Sequence, residues 1–191
     1  MSTRELRTPD PQLIVLVDEE GRPLGSAPKS ASHHADTPFH LAFSCYVFDE
    51  GGRFLVTRRA LSKQVWPGVW SNSVCGHPAP EEGMEDAIRR GLQHELGMTA
   101  RDLEVVLPTY AYRAPPFRGV VEYEFCPVYV ARAEGEPRPN PTEVEAFRWA
   151  PWADFVEAAE TDTADAYSWW CKDQLKALEG HPLIAAYALG D

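Results

Sequence analysis

Over residues 81–96 the apolar side chains fall at Met84, Ala87, Ile88, Leu92 and Leu96, and Gly97 follows directly. That spacing puts one oily face on a helix and supplies a glycine suited to end it. On both sides the period changes. QLIVLVDEEGRPLGSAP and AFSCYVFDEGGRFLVTRRA each read as two β-rich runs around a turn, and a short strand is expected through Cys75. Further strands are expected at about 103–113 and 119–131, then a Pro-rich surface loop, EGEPRPNPTE, and a last strand in EAFRWAPW. Helical segments at about 152–159 and 168–178 finish the pattern. One central helix that must cover its apolar face, set among strands and followed by helices, constrains the chain to an α/β or α+β sandwich with a mixed sheet.

The length of 191 residues, 44% of them hydrophobic, is enough for one domain with a sizeable core. The expected division is an N-terminal extension with a hairpin over residues 1–28, the main domain over 29–178 and a C-terminal tail over 179–191. A net charge of −11 argues against nucleic acid and against an anionic membrane surface as partners. No apolar run reaches the roughly 20 residues of a spanning helix, and MSTRELRTPDP lacks the apolar centre of a signal peptide. A cytoplasmic, monomeric protein is the expectation. Cys45, Cys75, Cys126 and Cys171 are scattered without CxxC spacing, so free thiols are expected rather than a zinc knuckle or a disulfide framework. Against the acidic background, VTRRALSK places Arg58, Arg59 and Lys63 together without an acid, a local match for an anionic ligand or simply a solvated loop.

Three further stretches carry chemistry. In GVVEYEFCPVYV, Glu122 and Glu124 share one face of a strand, about 6 to 7 Å apart, with almost wholly apolar flanks. Paired carboxylates in such a setting need a cation or a shared proton. In SNSVCGH the same alternation puts Ser71, Ser73, Cys75 and His77 on one side, so thiol and imidazole look into one space; His77 either ligates a metal or tunes the thiol. SHHADTPFH adds His33, His34 and His40. Three histidines and two carboxylates are a mix of N and O donors that suits Mn²⁺, Mg²⁺ or a related divalent ion. Glu95 lies near the apolar stripe of the helix and wants a partner, whereas Glu81, Glu82, Glu85 and Asp86 read as acids of its first turn.

HLAFSCYVFDEGGRFLVTRRALSKQVWPGVWSNSVCGHP resembles the core signature of the type I isopentenyl-diphosphate isomerases, and GVVEYEFCPVY resembles their second catalytic strand. The likeness runs from about residue 29 to 130, more weakly to about 170, and implies the Nudix fold, an α/β/α sandwich. Gly76, Glu82, Arg90, Glu95 and Gly97 also follow the spacing of a Nudix box, G-x5-E-x7-R-x4-E-x-G, while Gly91 and His94 stand where the hydrolases of that superfamily carry glutamates.

The resemblance implies Cys75 and Glu124 as the acid/base pair. It implies His33, His40, His77, Glu122 and Glu124 as ligands of a tightly held divalent metal, Mn²⁺ with Zn²⁺ or Mg²⁺ as alternatives, and leaves His34 as a neighbour. Glu95 and the main-chain carbonyl of Cys75 would hold a Mg²⁺ that arrives with an isoprenoid diphosphate, the implied small-molecule substrate. Lys29, Arg59 and Lys63 would touch the diphosphate. Gly91 replaces an expected arginine there, so either Arg90 substitutes or one contact is missing. Tyr112 would donate to the Glu pair, and Trp170, with Trp169 as rival, would face a carbocation through its π-system. The implied activity is conversion of isopentenyl to dimethylallyl diphosphate. A Nudix diphosphohydrolase and a catalytically silent diphosphate-binding module are the alternatives.

Overall fold

The computed structural model describes residue 10 and residues 12–190; most of the expected N-terminal extension before the first hairpin lies outside them. The chain runs β1 (Leu13–Val17), β2 (Pro23–Pro28), a 3₁₀ turn at Lys29–Ala31, β3 (His40–Leu41), β4 (Phe43–Phe48), β5 (Arg53–Arg59), β6 (Trp70–Ser71) and β7 (Val74–Gly76). It continues through α1 (Met84–Leu96), β8 (Thr99–Leu107), β9 (Ala111–Arg113), β10 (Tyr123–Phe125), β11 (Val128–Glu134) and β12 (Val144–Pro151). Helices α2 (Trp152–Glu160), α3 (Trp169–Leu178) and α4 (Pro182–Leu189) follow. Among the described residues no helix is long and apolar enough to cross a membrane.

The strands make two mixed sheets. One has the order β2-β1-β3-β10-β9, the other β12-β5-β4-β11-β8 with β6 beside β5 and β7 beside β4. The six residues of β4 are all buried, because helices cover both faces of the second sheet. Phe43, Cys45 and Val47 alternate toward Ile88, Leu92 and Leu96 of α1. Tyr46 and Phe48 alternate toward Phe155, Leu175 and Tyr187 of α2, α3 and α4. This is the α/β/α sandwich implied by the family resemblance. The helix α4 was not legible as one: the expected tail folds back and buries Ile184 and Tyr187.

Three local departures have physical causes. The expected strands 103–113 and 119–131 each divide in two, at Pro108 and at Pro127, which lacks the N–H a strand ladder needs. Helix α1 begins at Met84 rather than 81, because Glu81 adopts a left-handed φ of 67°. Glu82 therefore lies before the helix, where its carboxylate accepts from the N–H of Ala79 at 2.8 Å and pairs with Arg90 instead of serving the first turn. Finally, β4 and β5 pair directly only at Phe48 and Phe54, and β6 and β7 fill the gap where they splay.

The crossing between sheets positions the site. Strands β3 and β10 run parallel with His40 opposite Glu124, and β4 and β11 continue the same parallel pair in the second sheet with Ser44 opposite Val128. The two chains cross together at Ala42 and at Cys126–Pro127, held by Ala42 N–H donating to Phe125 O at 2.8 Å.

Candidate active site

At that crossing lies a cavity of about 450 Å³ lined by Lys29, His33, Arg59, Lys63, Cys75, His77, Glu95, Tyr112, Glu122, Glu124 and Trp170. Each site residue singled out by sequence therefore faces one space, except His40, which is fully buried behind it. His34 stays outside the cluster, bonding through its own N–H to Thr37.

His33, His40, His77 and Glu124 each present an atom that lies within 4.8 Å of the other three. Glu124 Oε1 sits 3.1 Å from His77 Nε2 and 3.6 Å from His40 Nε2. Glu122 stands at the edge of the group, its Oε2 3.6 Å from His33 Nε2. The tautomers favour metal ligation: Nδ1 of His33 and of His40 faces the carbonyls of Lys29 and Pro38 at 3.3 and 2.8 Å, which leaves each Nε2 for the centre. His40 Nε2 and Glu122 Oε2 are buried without a hydrogen bond. Buried polar atoms in that state are rare, and a shared divalent cation would satisfy both at once. The donor set fits such an ion.

Electrostatics differ from group to group. Burial and the neighbouring Glu124 charge push Glu122 up to about 8. Burial would raise Glu124 too, but the His40 imidazole 3.6 Å away and the hydrogen bond with His77 hold it well below the usual carboxylate range. Burial takes His77 down to about 4, so it is neutral and able to ligate. Withdrawal from water pushes Glu95 up to about 7 against the pull of Lys63.

Cys75 comes from the other sheet. Burial pushes its thiol up to about 11, so the sulfur keeps its proton at neutral pH. Its Sγ donates to Asn72 Oδ1 at 3.2 Å and lies 3.3 Å from Ser44 Oγ. The strict alternation expected over 71–77 breaks between β6 and β7: Ser73 Oγ donates instead to Leu55 O at 2.7 Å, whereas Cys75 and His77 both line the cavity. All four cysteines are free.

Tyr112 Oη donates to Glu124 Oε2 at 2.8 Å. Trp170 lines the cavity and donates through Nε1 to Ser71 Oγ at 3.1 Å, while Trp169 is tilted against Tyr112 outside the lining. The Arg59 guanidinium lies 5.5 Å from the Trp170 ring centre, and Lys63 pairs with Glu143, a partner sequence reasoning missed. Arg90 reaches the cavity but is committed, with bonds of 2.7 and 2.8 Å to Glu82 and 3.0 Å to His77 O. Gly91 is packed under Phe43: a Cβ there would stand 3.1 Å from the Phe43 ring. Neither a glutamate nor an arginine fits without moving that ring.

Known proteins that this chain resembles place its fold and family. Residues 38–170 match the NUDIX domain family. The protein DR0079 of Deinococcus radiodurans shares the fold with a TM-score of 0.64 at 19% identity, covering 86% of this chain and 98% of that one. Two curated relatives are named isopentenyl-diphosphate Delta-isomerase: one of Frankia alni, 51% identical over 91% of this chain and 90% of its own, and one of Agromyces mediolanus, 54% identical over 93% and 84%. Within the Nudix class, the chain belongs to the isopentenyl-diphosphate Delta-isomerase family.

Proposed function

We propose that the protein converts isopentenyl diphosphate into dimethylallyl diphosphate, with Cys75 and Glu124 as its two proton-transfer groups. The observation that carries this reading is their placement: a protonated thiol from one sheet and a carboxylate from the other border a single cavity with Trp170. In the reaction one proton is added to the terminal alkene carbon, a tertiary carbocation forms at the next carbon, and a proton leaves the carbon beyond, so the double bond moves with no net change in composition. Two positioned groups of suitable acidity perform those transfers. The indole face of Trp170 offers the cation a π-surface with no lone pair to capture it.

His33, His40, His77, Glu122 and Glu124 would hold a divalent cation, with Mn²⁺ favoured by the N/O donor mix, and Glu95 with the Cys75 carbonyl would hold Mg²⁺ beside the diphosphate. Such an ion supplies fixed positive charge that orients Glu124 and tunes its basicity. Lys29, Arg59 and Lys63 line the same cavity and would neutralise the diphosphate, anchoring the substrate so that its alkene lies between Cys75 and Glu124. A hydrolase reading finds no support at positions 91 and 94, where Gly91 and His94 stand in place of the box glutamates.

Tyr112 would hold Glu124 in place through the bond to Oε2. Tyr112→Phe is expected to lower kcat by about ten- to hundredfold, the worth of a hydrogen bond to a charged group, with bound metal unchanged. Steady-state rates and elemental analysis together check it, and an unaltered kcat removes Tyr112 from the machinery. The activity itself is tested by NMR of isopentenyl diphosphate in D₂O with Mg²⁺. Deuterated dimethylallyl diphosphate with its diphosphate intact is the expected product. Released phosphate beside an unmoved double bond would overturn the reading in favour of hydrolysis.

A further inference from the structure

Behind the Cys75 sulfur, on the side away from the cavity, a polar chain runs through the otherwise apolar core between β4 and α3. Tyr46 Oη donates to Gln174 Oε1 at 2.9 Å, and Gln174 Nε2 donates to Ser44 Oγ at 2.9 Å. All three residues are fully buried, and none lines the cavity. A glutamine on the buried face of a helix, flanked by Cys171, Leu175 and Leu178, is costly unless its amide is satisfied. Here both ends are.

In the structure Gln174 turns its oxygen to Tyr46 and its nitrogen to Ser44. Ser44 thus accepts from Gln174 and has its own O–H left to give. Its neighbours are the sulfurs of Cys75 at 3.3 Å and Cys126 at 3.5 Å. On the other side of Cys75, Asn72 is pinned by Nδ2 donating to Val74 O at 3.1 Å and Cys45 O at 3.3 Å, so only its oxygen can face the thiol. The sulfur is held between a fixed acceptor for its proton and a hydroxyl free to donate to it.

We propose that Gln174 is a positioning residue for Cys75: acting through Ser44, it aims a hydroxyl at the sulfur, so that the sulfur keeps a donor when its proton is on the substrate. The acceptor Asn72 favours the S–H form before transfer. The Ser44 hydroxyl favours the sulfur anion after it. Both are preset by core contacts and need no reorganisation during turnover. The inference rests on the isomerase reading of the site for its effect on rate, while the hydrogen-bond relay stands on the contacts alone.

The test is a double-mutant cycle on the metal-loaded protein with Ser44→Ala, Gln174→Met and both together, read by kcat, KM and elemental analysis. Each single variant is expected to lower kcat about ten- to hundredfold, the worth of a bond to a charged acceptor, with KM within about twofold and metal retained. Because Gln174 acts through Ser44, the double variant should be no slower than Ser44→Ala. An unchanged kcat in Gln174→Met, multiplied losses in the double variant, or a raised KM at constant kcat would each overturn the proposal. If Gln174→Met does not fold, Tyr46→Phe releases the amide by removing one atom. Its kcat should fall about threefold or more, and no fall overturns the relay. Alkylation of native protein by iodoacetamide at one pH, followed by mass spectrometry, reads the contact without turnover, since Cys75 alone of the four cysteines is not fully buried. Slower alkylation of Cys75 in Ser44→Ala and in Gln174→Met supports the relay even if the wild-type protein proves not to isomerise, and an equal rate in all three contradicts it.

Discussion

Replacing Cys75 by alanine or Glu124 by glutamine is expected to lower turnover by at least about a thousandfold, each alone, with the fold retained. General acid or base catalysis contributes about 10² to 10⁴ per group, and an unactivated alkene offers no easier route once either group is lost. The two variants should also fail differently. Cys75→Ala removes a sulfur that packs at the edge of the α3-side core and leaves the His/Glu group untouched, so metal content should stay at the wild-type level. Glu124→Gln removes a charge contacted by His40, His77 and Tyr112, so bound metal should fall along with rate. Circular dichroism, elemental analysis and the D₂O exchange assay distinguish these outcomes. Turnover of either variant within tenfold of wild type would sink the pair as the proton carriers.

Stripping the divalent metal should destabilise the protein, and more at pH 8 than at pH 6.5. In the metal-free state Glu95 is raised to about 7 and Glu122 to about 8, so each holds a proton that the unfolded chain has already released. His40 is also raised: the Glu124 carboxylate 3.6 Å away outweighs the effect of burial, so it too keeps its proton past the ordinary imidazole range. In all three the folded state binds more protons than the unfolded state, so stability falls as pH rises through this window. For the two carboxyls the loss between pH 6.5 and 8 is roughly 2 kcal/mol. His77, depressed to about 4, opposes this trend by only roughly 0.4 kcal/mol, because the unfolded imidazole is already half deprotonated at pH 6.5, and the depressed His33 acts in the same sense. A bound cation takes the place of those protons, so its affinity rises with pH, and at a thousandfold excess over its Kd it contributes about 4 kcal/mol. For a chain of this size that is a rise in Tm of about 10 °C. Melting curves with EDTA and with Mn²⁺ at both pH values check the prediction, and equal differences at the two would refute it. His40→Ala should abolish most of the metal-dependent rise.

The candidate site was legible in part: spacing put Cys75 with His77 and Glu122 with Glu124 on shared faces, and His33 and His40 added donors, while the roles assigned to them came from the family resemblance. The helix α1 was legible because its apolar stripe is long and its glycine stop is explicit. Strand ends were not, since β9 and β10 belong to one sheet and β8 and β11 to another, and the local period does not change where the chain passes between them. Pro127 was the available signal. Helix α4 has nearly uniform apolar character without a polar face, so no period marks it. Ser44, Asn72 and Gln174 escaped notice because their importance lies in partners far off in sequence. A glutamine on the buried stripe of α3 was the one local hint.

The pairing of His40 with Glu124 also bears on how the protein comes into being. More than 80 of the 191 residues separate these two, and closing so long a loop is slow compared with forming α1 or the β1–β2 hairpin. The His/Glu group proposed to hold the metal does not exist until that closure is made. On the ribosome, every nascent chain shorter than Glu124 can carry its helix and first hairpin yet lacks one of the proposed ligands, so cation capture should coincide with a late step of folding rather than seed an early one.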